Sequence, residues 1–266
     1  MILFYSGRNN SNIMTRVISV VSGKGGAGKT TLTANLGVAL SNQGEDVLII
    51  DGNFTGANIA QHFGVGFQDV SLNDVLEGDA YITQAVAKHP EGVSILPASV
   101  LEFNGQEQNL KHSIVDFLGD KDFVLIDAAA GTDDEVQAAI ETSDEVLLVS
   151  HPELPALTNT LGAKKLAEEM DREILGLVMN MVRDEKSEVE HEDIKELVDE
   201  KIIGEVPEHK HVREGIALRK PVVSYKPDSR ASYAIEDVAH KLKGREPPKR
   251  PLQKRLKMRL QDVSPI

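Results

Sequence analysis

The chain has 266 residues, a formal net charge of −13 and 41% hydrophobic residues, enough apolar material for a buried core. It contains no cysteine, which excludes disulfides, cysteine-ligated zinc or iron–sulfur centres and a thiol nucleophile, and is typical of a reducing cytoplasm. No apolar run reaches the roughly 18 residues that a membrane span needs, and the first residues lack the pattern of a secretory signal. We therefore expect a globular, cytoplasmic protein.

Strand-like and helix-like segments alternate along the chain. The strand candidates are short, continuous apolar runs, typical of strands covered on both faces. They span residues 17–22, 47–50, 93–96, 123–126, 146–149, 174–179 and 202–206. Helical patterns lie between them at residues 30–42, 133–141, 155–170, 187–200 and 229–243. This order predicts the α/β class: a single doubly wound, mostly parallel β-sheet flanked by helices, with ligands beyond the carboxyl ends of its strands.

The two ends of the chain fall outside this pattern. Residues 1–13 show no periodicity and precede Met14, so they are either a flexible N-terminal extension or the result of a misassigned start codon. Residues 14–243 form the predicted folded domain. Residues 244–266 begin with a proline-rich, basic linker and end in a basic tail.

Charge is distributed unevenly between the body and the tail. Residues 241–266 contain nine basic and two acidic residues, whereas the other 240 residues contain 20 basic and 40 acidic ones. An acidic body argues against DNA as a ligand, because affinity for nucleic acid depends on neutralising phosphates with lysine and arginine. We therefore expect contact with an anionic surface only at the C-terminus.

A complete phosphate-binding motif follows the first strand and opens the first helix. It consists of Gly23, Lys24, Gly25, Gly26, Ala27, Gly28, Lys29 and Thr30, and it matches the pattern G-x-x-x-x-G-K-[ST]. Its glycines let several backbone N–H groups converge on phosphate oxygens, and the helix N-terminus adds partial positive charge. Lys29 is predicted to span the outer phosphates and the Thr30 hydroxyl to ligate Mg²⁺. The motif therefore predicts a P-loop NTPase.

Lys24 lies inside this loop, where the general pattern accepts any residue. Together with residues 25–30 it resembles the deviant phosphate loop of the MinD/ParA family of ATPases, and most closely that of archaeal-type MinD cell-division ATPases. The resemblance covers about residues 14–243. It includes residues 51–58 as switch I, 125–131 as switch II, 178–180 as the strand end that reads adenine, and 205–215 as the segment that closes over the base.

The resemblance implies ATP and Mg²⁺ as cofactors and a set of site residues. Nucleotide contacts are implied for the whole phosphate loop and for Thr31, Asn180, Pro207 and Glu208. The switch II residues are Asp127, Ala130 and Gly131. Lys24 is implied to reach the ATP of the partner subunit in an ATP-dependent homodimer, where it acts as an arginine finger does.

Two aspartates end apolar strands at the predicted carboxyl edge. Asp127 is assigned to Mg²⁺ through a bound water, and Asp51 to the same shell or to positioning of switch I. A purely helix-capping role is the alternative for each of them.

Asn53 stands where the family usually has an aspartate that polarises the attacking water. An amide can hold a water in line but cannot accept its proton, so we predict slow but nonzero ATP hydrolysis, with Lys24, Lys29, Asp51 and Asn53 as the catalytic set. An ATP-gated dimeric scaffold with negligible hydrolysis is the alternative.

The tail has a basic amphipathic pattern. At 100° per residue, Leu252, Leu256 and Leu260 share a stripe of about 80°, and most basic side chains lie elsewhere. The basic residues of this segment are Lys254, Arg255, Lys257 and Arg259. Such a segment binds anionic membrane, and the resemblance implies that dimerisation doubles a weak lipid contact into an anchor. A solubilising or partner-binding tail explains the same residues equally well.

The combined expectation is a spatial regulator of cell division or of polar positioning, cytoplasmic or peripheral on the inner face of the membrane. The sequence does not identify the protein that activates it. A ParA-like partition ATPase with non-specific DNA binding is a second interpretation, which the acidic body opposes.

Overall fold

In the computed structural model, the described residues are 14–66, 68–99 and 110–250. The strands in this part of the chain are β1 (Arg16–Ser22), β2 (Val47–Gly52), β3 (Ala87–Lys88), β4 (Ser94–Leu96), β5 (Phe123–Ala130), β6 (Glu145–Ser150), β7 (Glu173–Val182) and β8 (Ile202–Pro207). The helices are α1 (Lys29–Asn42), α2 (Ile59–Phe63), α3 (Leu72–Glu77), α4 (Ile82–Ala85), α5 (Leu110–Ser113), α6 (Asp134–Thr142), α7 (Leu154–Glu169), α8 (His191–Val198), α9 (Lys210–Ala217), α10 (Val222–Tyr225) and α11 (Arg230–Leu242).

These strands form one sheet in the order β3-β4-β2-β5-β1-β6-β7-β8. Only the short pair β3 and β4 is antiparallel among the described strands. Side chains along each strand alternate between two cores, so that Leu48 and Ile50 of β2 pack on one face and Val47 and Ile49 on the other. Helices cover both faces, with α1 and α11 on one and α6, α7 and α8 on the other. The predicted fold is confirmed.

Parallel register brings Asp51 and Asp127 together. The prediction that Asp127 ends its strand is wrong, because β5 continues to Ala130 by pairing with the ends of β1 and β2. Asp51 of β2 lies opposite Asp127 of β5, and β5 also pairs with β1, which leads into the phosphate loop. The carboxyl edge of the central strands therefore assembles segments that are far apart in the sequence.

The helix predicted at residues 187–200 is shorter in the structure, where α8 begins at His191 and ends at Val198. The preceding residues form a loop, because the Glu188 carboxylate accepts the Arg183 N–H at 2.8 Å and the Val189 N–H donates to the Pro152 carbonyl at 2.9 Å. These contacts compete with the helical hydrogen bonds that the same residues would make.

The C-terminal part of the described chain turns back along α11. This helix begins after Ser229, whose hydroxyl accepts the Ser232 N–H, and it is followed by Gly244 with φ of 66°. Arg250 then donates to both carboxylate oxygens of Asp237 at 2.6 and 2.7 Å. The tail residues Leu252, Leu256 and Leu260 and the N-terminal residues 1–13 lie outside the described residues.

Candidate functional site

The phosphate loop is shaped by glycines that no larger residue replaces without strain. Gly28 has φ of 78°, and a Cβ there would lie 2.3 Å from the Asn180 side-chain nitrogen. A Cβ on Gly23 would lie 1.9 Å from the backbone carbonyl oxygen of Asn159 on α7. The loop therefore runs against both β7 and α7, and its close packing explains glycine at these two positions.

Asn180 fixes the loop from the end of β7. It is 7% exposed, and its Nδ2 donates to the Ala27 carbonyl at 2.8 Å. The structure thus places this predicted adenine-reading residue against the phosphate loop, with the amide nitrogen already in use. A contact between Asn180 and adenine stays a prediction. It would have to use the hydrogen-bonding groups of the amide that Ala27 does not occupy.

Lys29 and Asp127 form the buried charged centre of the site, at 7% and 1% exposure. Burial lowers the pKa of Lys29, and the Asp127 carboxylate opposes this shift. Burial raises the pKa of Asp127 to about 6, opposed by a hydrogen bond from the Thr30 hydroxyl, by the charge of Lys29 and by the Thr33 hydroxyl. Deprotonated Asp127 is therefore stabilised by groups of the loop itself.

One oxygen of Asp127 has no partner among the described residues. Its Oδ1 lies 3.4 Å from the Thr33 hydroxyl, whereas its Oδ2 is buried without a hydrogen bond. A buried carboxylate oxygen without a partner is costly, and a bound cation or its water removes that cost. The described residues contain no cluster of three or more His, Asp or Glu ligands. The unpartnered carboxylate oxygen of Asp127 suits Mg²⁺, which is commonly bound by one or two protein groups together with nucleotide phosphates.

The Asp51 carboxylate holds the loop after β2 by accepting hydrogen bonds from backbone N–H groups of that loop. Its Oδ2 accepts the N–H groups of Asn58 at 2.8 Å and Ile59 at 3.0 Å, and its Oδ1 accepts the Asn53 N–H at 3.3 Å. Burial and the nearby Asp127 carboxylate raise the pKa of Asp51 to about 8, and these three N–H donors oppose the rise. Both oxygens of Asp51 are thus hydrogen-bonded to backbone N–H groups at the start of this loop and of α2, and its role in the site stays a prediction.

Asn53 closes a turn within the same loop. Its Oδ1 accepts the Gly56 N–H and its Nδ2 donates to the Gly56 carbonyl, each at 3.0 Å. This two-way pairing needs an amide, since a carboxylate has no N–H to donate. Asn53 therefore holds the turn at residues 53–56 through both the oxygen and the nitrogen of its amide.

Two residues that the sequence did not indicate, Glu135 and His62, connect switch I and the following helix α2 to other elements. Glu135 of α6 accepts the Phe54 N–H at 3.0 Å. His62 of α2 lies 3.0 Å from the Thr31 hydroxyl of α1. Neither contact follows a periodic pattern, because each joins elements that only the folded sheet brings together.

Lys24 is exposed, as are Gly25 and Gly26, and in the described part of the chain only its backbone carbonyl is hydrogen-bonded, accepting from the Ser22 hydroxyl at 2.9 Å. Its ammonium group is therefore available to a partner molecule.

Of the switch II residues, Asp127 and Ala130 lie within β5 and Gly131 follows it directly. The Gly131 N–H donates to the Ser22 carbonyl at 3.1 Å, and φ of Gly131 is 100°. Ala130 is half-buried at the end of the strand. This segment therefore runs beside Ser22, the residue that leads into the phosphate loop, and its role as switch II stays a prediction.

Pro207 and Glu208 lie at the end of β8, next to β7. The Glu208 carboxylate pairs with Arg183 and, at 2.6 Å, with Arg213. These two arginines lower the pKa of Glu208. The predicted base-closing segment is thus held by an exposed ion-pair cluster at the same sheet edge.

The comparison with protein families decides the classification. A ParA family model, described as NUBPL iron-transfer P-loop NTPase, matches residues 13–243. The chain belongs to the MinD/ParA family of P-loop NTPases. An uncharacterized ATP-binding protein of Methanocaldococcus jannaschii is 35% identical over 235 residues, which cover 87% of this chain and 89% of that protein. The septum site-determining protein MinD of Synechocystis sp. is 31% identical over 247 residues, which cover 88% and 92%.

Solved structures show the same family. MinD of Pyrococcus horikoshii complexed with Mg-ADP superposes with a TM-score of 0.83 at 36% identity, covering 86% of this chain and 96% of that chain. A chain of the MinC:MinD cell division protein complex of Aquifex aeolicus gives a TM-score of 0.78 at 30% identity, covering 89% and 98%. The predicted resemblance is confirmed. Among the helices of the described residues, none combines the length and hydrophobicity needed to span a bilayer.

Proposed function

We propose that this chain is a Mg²⁺-dependent ATPase that dimerises around two ATP molecules. The supporting observation is the placement of Lys29, Thr30 and the unpartnered Oδ2 of Asp127 at one sheet edge, below a phosphate loop. Solved MinD with Mg-ADP shows that a relative binds this nucleotide and metal. Thr30 would hold Mg²⁺ directly and Asp127 would hold it through water.

Catalysis in this site consists mainly of positioning and charge neutralisation. Lys29 neutralises the outer phosphates, and the backbone N–H groups of residues 25–30 hold their oxygens. Asp51 keeps switch I in place through three backbone hydrogen bonds, and the Asn53 amide holds the attacking water in line. Mg²⁺ held by Thr30 and Asp127 would supply neutralisation of the phosphate charge during transfer.

Hydrolysis in this proposal is slow, because Asn53 accepts no proton and its amide is engaged with Gly56. The same observation favours a second candidate, a nucleotide-gated scaffold with negligible turnover. Single-turnover hydrolysis of radiolabelled ATP by the intact protein separates the two, with Lys29→Ala as the negative control. ADP formation above that control supports the ATPase, and a rate equal to that of the control supports the scaffold.

Dimerisation is proposed to depend on Lys24, because its exposed ammonium has no partner within the described residues. Analytical ultracentrifugation with ATP should show a dimer for the parent and a monomer for Lys24→Ala. Lys195→Ala removes an exposed lysine on α8 and serves as the matched control. A dimer that survives Lys24→Ala would contradict this role.

We further propose that the ATPase regulates cell division, acts with an effector protein and binds anionic membrane through its tail. Support comes from relatives named as septum site-determining and cell division proteins, one of them solved as a MinC:MinD complex. Co-sedimentation with anionic liposomes tests the membrane step with ATP and with ADP.

The comparison chain for this test should end at Arg250, because that residue is anchored to Asp237 and its removal would disturb α11. Binding with ATP by the intact chain alone would support the anchor. Equal sedimentation of the two chains with either nucleotide would refute it.

A further inference from the structure

His62 joins the phosphate-loop helix to switch I through both of its ring nitrogens. Nε2 lies 3.0 Å from the Thr31 hydroxyl oxygen in the first turn of α1. Nδ1 lies 3.2 Å from the carbonyl oxygen of Asn58, the residue that precedes α2. The half-buried imidazole therefore bridges two segments that both border the nucleotide site.

The direction of these hydrogen bonds follows from their chemistry. The Asn58 carbonyl only accepts, so Nδ1 carries the ring proton. Burial lowers the pKa of His62, which favours the neutral ring, and in the neutral ring Nε2 is an acceptor. Thr31 is therefore the donor to His62, and its hydroxyl has only one proton to give.

The same chain of hydrogen bonds continues into switch I. The Asn58 N–H donates to Oδ2 of Asp51 at 2.8 Å, so Thr31, His62, Asn58 and Asp51 are linked in sequence. Thr31 lies directly after Lys29 and Thr30, at the end of the loop where phosphate is proposed to bind.

We infer that His62 is a positioning residue that couples phosphate occupancy to switch I, because a nucleotide phosphate and His62 compete for the Thr31 proton. This inference rests on the proposed function, in which a nucleotide occupies the phosphate loop. In the nucleotide-free protein, Thr31 holds α2 through His62. A phosphate oxygen that accepts the Thr31 proton releases His62 and loosens the attachment of α2 to α1.

Competition predicts that removing the imidazole strengthens nucleotide binding. A neutral hydrogen bond of ordinary strength corresponds to about two- to tenfold in an equilibrium constant. His62→Leu should therefore bind Mg-ADP about two- to tenfold more tightly than the parent. In a Thr31→Val background the same change should leave the affinity unaltered, because no hydroxyl remains to compete for.

The experiment is a double-mutant cycle by calorimetric titration of the full chain with Mg-ADP, which avoids turnover. The matched control is His89→Leu, since His89 Nε2 lies 3.0 Å from the carbonyl oxygen of Phe63, the last residue of α2. Equal or weaker binding by His62→Leu would overturn the inference, as would an equal gain in the Thr31→Val background. A gain in affinity for His89→Leu would overturn it too.

Nitrogen NMR of the parent's His62 imidazole gives a readout that a purely structural role does not change, and it requires no variant. The free protein should show protonated Nδ1 and hydrogen-bonded Nε2. Saturation with Mg-ADP should move the Nε2 resonance to the chemical shift of an unprotonated nitrogen that accepts no hydrogen bond. An unchanged Nε2 signal would refute the competition. If the parent binds no Mg-ADP in the calorimeter, the proposed function itself fails, and this result is obtained before any variant is compared.

Discussion

Replacement of Asn53 by aspartate changes both the turn in switch I and the chemistry that faces the attacking water. The carboxylate keeps the acceptor for the Gly56 N–H but loses the donor to the Gly56 carbonyl, and it brings two oxygens to about the present 3.0 Å separation. The substitution therefore loosens the turn while it introduces the proton acceptor that the parent lacks.

The two effects have different magnitudes. Loss of one exposed neutral hydrogen bond, with an oxygen left facing a carbonyl, costs about 1 kcal/mol, which lowers the population of the closed turn about fivefold. A positioned general base contributes about 100-fold or more to a rate. The gain exceeds the loss, so we expect Asn53→Asp to hydrolyse ATP at least about 20-fold faster than the parent.

Single-turnover hydrolysis of ATP, measured at saturating Mg²⁺ for the parent, Asn53→Asp and Asn53→Ala, tests this expectation. The alanine variant loses both bonds to Gly56 without gaining a carboxylate, so it should be up to about 25-fold slower than the parent. If Asn53→Asp hydrolyses ATP at the parental rate while binding it equally well, Asn53 does not limit turnover and the reasoning is wrong.

Three further outcomes follow from other contacts. Gly23→Ala should lower the free energy of unfolding by at least about 2 kcal/mol, because its Cβ would lie 1.9 Å from a backbone carbonyl oxygen of α7. Gly25→Ala, which meets nothing within 4 Å, should cost less than about 0.5 kcal/mol in the same urea titration, and equal losses would contradict the packing argument.

Glu135→Ala removes the acceptor of the Phe54 N–H and should cost about 1 kcal/mol in urea unfolding, whereas Glu135→Gln retains an acceptor oxygen and should remain near the parent. Burial lowers the folded-state pKa of His62 below its ordinary 6.5, so its contribution to stability is present above pH 6.5 and lost as the pH falls. Relative to His62→Leu, the parent should therefore lose stability in urea unfolding as the pH falls below about 6.5, and a constant difference would refute the assignment.

The sequence by itself determined the fold class, the phosphate loop and the edge of the sheet at which the site lies. Continuous apolar runs identify buried parallel strands, and a contiguous glycine-rich motif between a strand and a helix specifies its own backbone geometry. Asp51 and Asp127 were found because each directly follows such an apolar run, and register then places them opposite each other. Where local contacts compete with helical periodicity, as before His191, the sequence predicted too long a helix.

Only the tertiary structure decided how the site residues are held. Asn180 and Ala27 are 153 positions apart, Glu135 and Phe54 are 81 apart, and His62 and Thr31 are 31 apart. No local propensity encodes such pairs, because each depends on which strands are neighbours and on the side from which a helix returns. The pairing of Asn53 with Gly56 is local in sequence, yet the amide became recognisable as part of a turn only once the backbone of switch I was fixed by Asp51. A motif can be read from adjacent residues, whereas hydrogen bonds between distant segments exist only after the sheet has brought those segments within about 3 Å of each other.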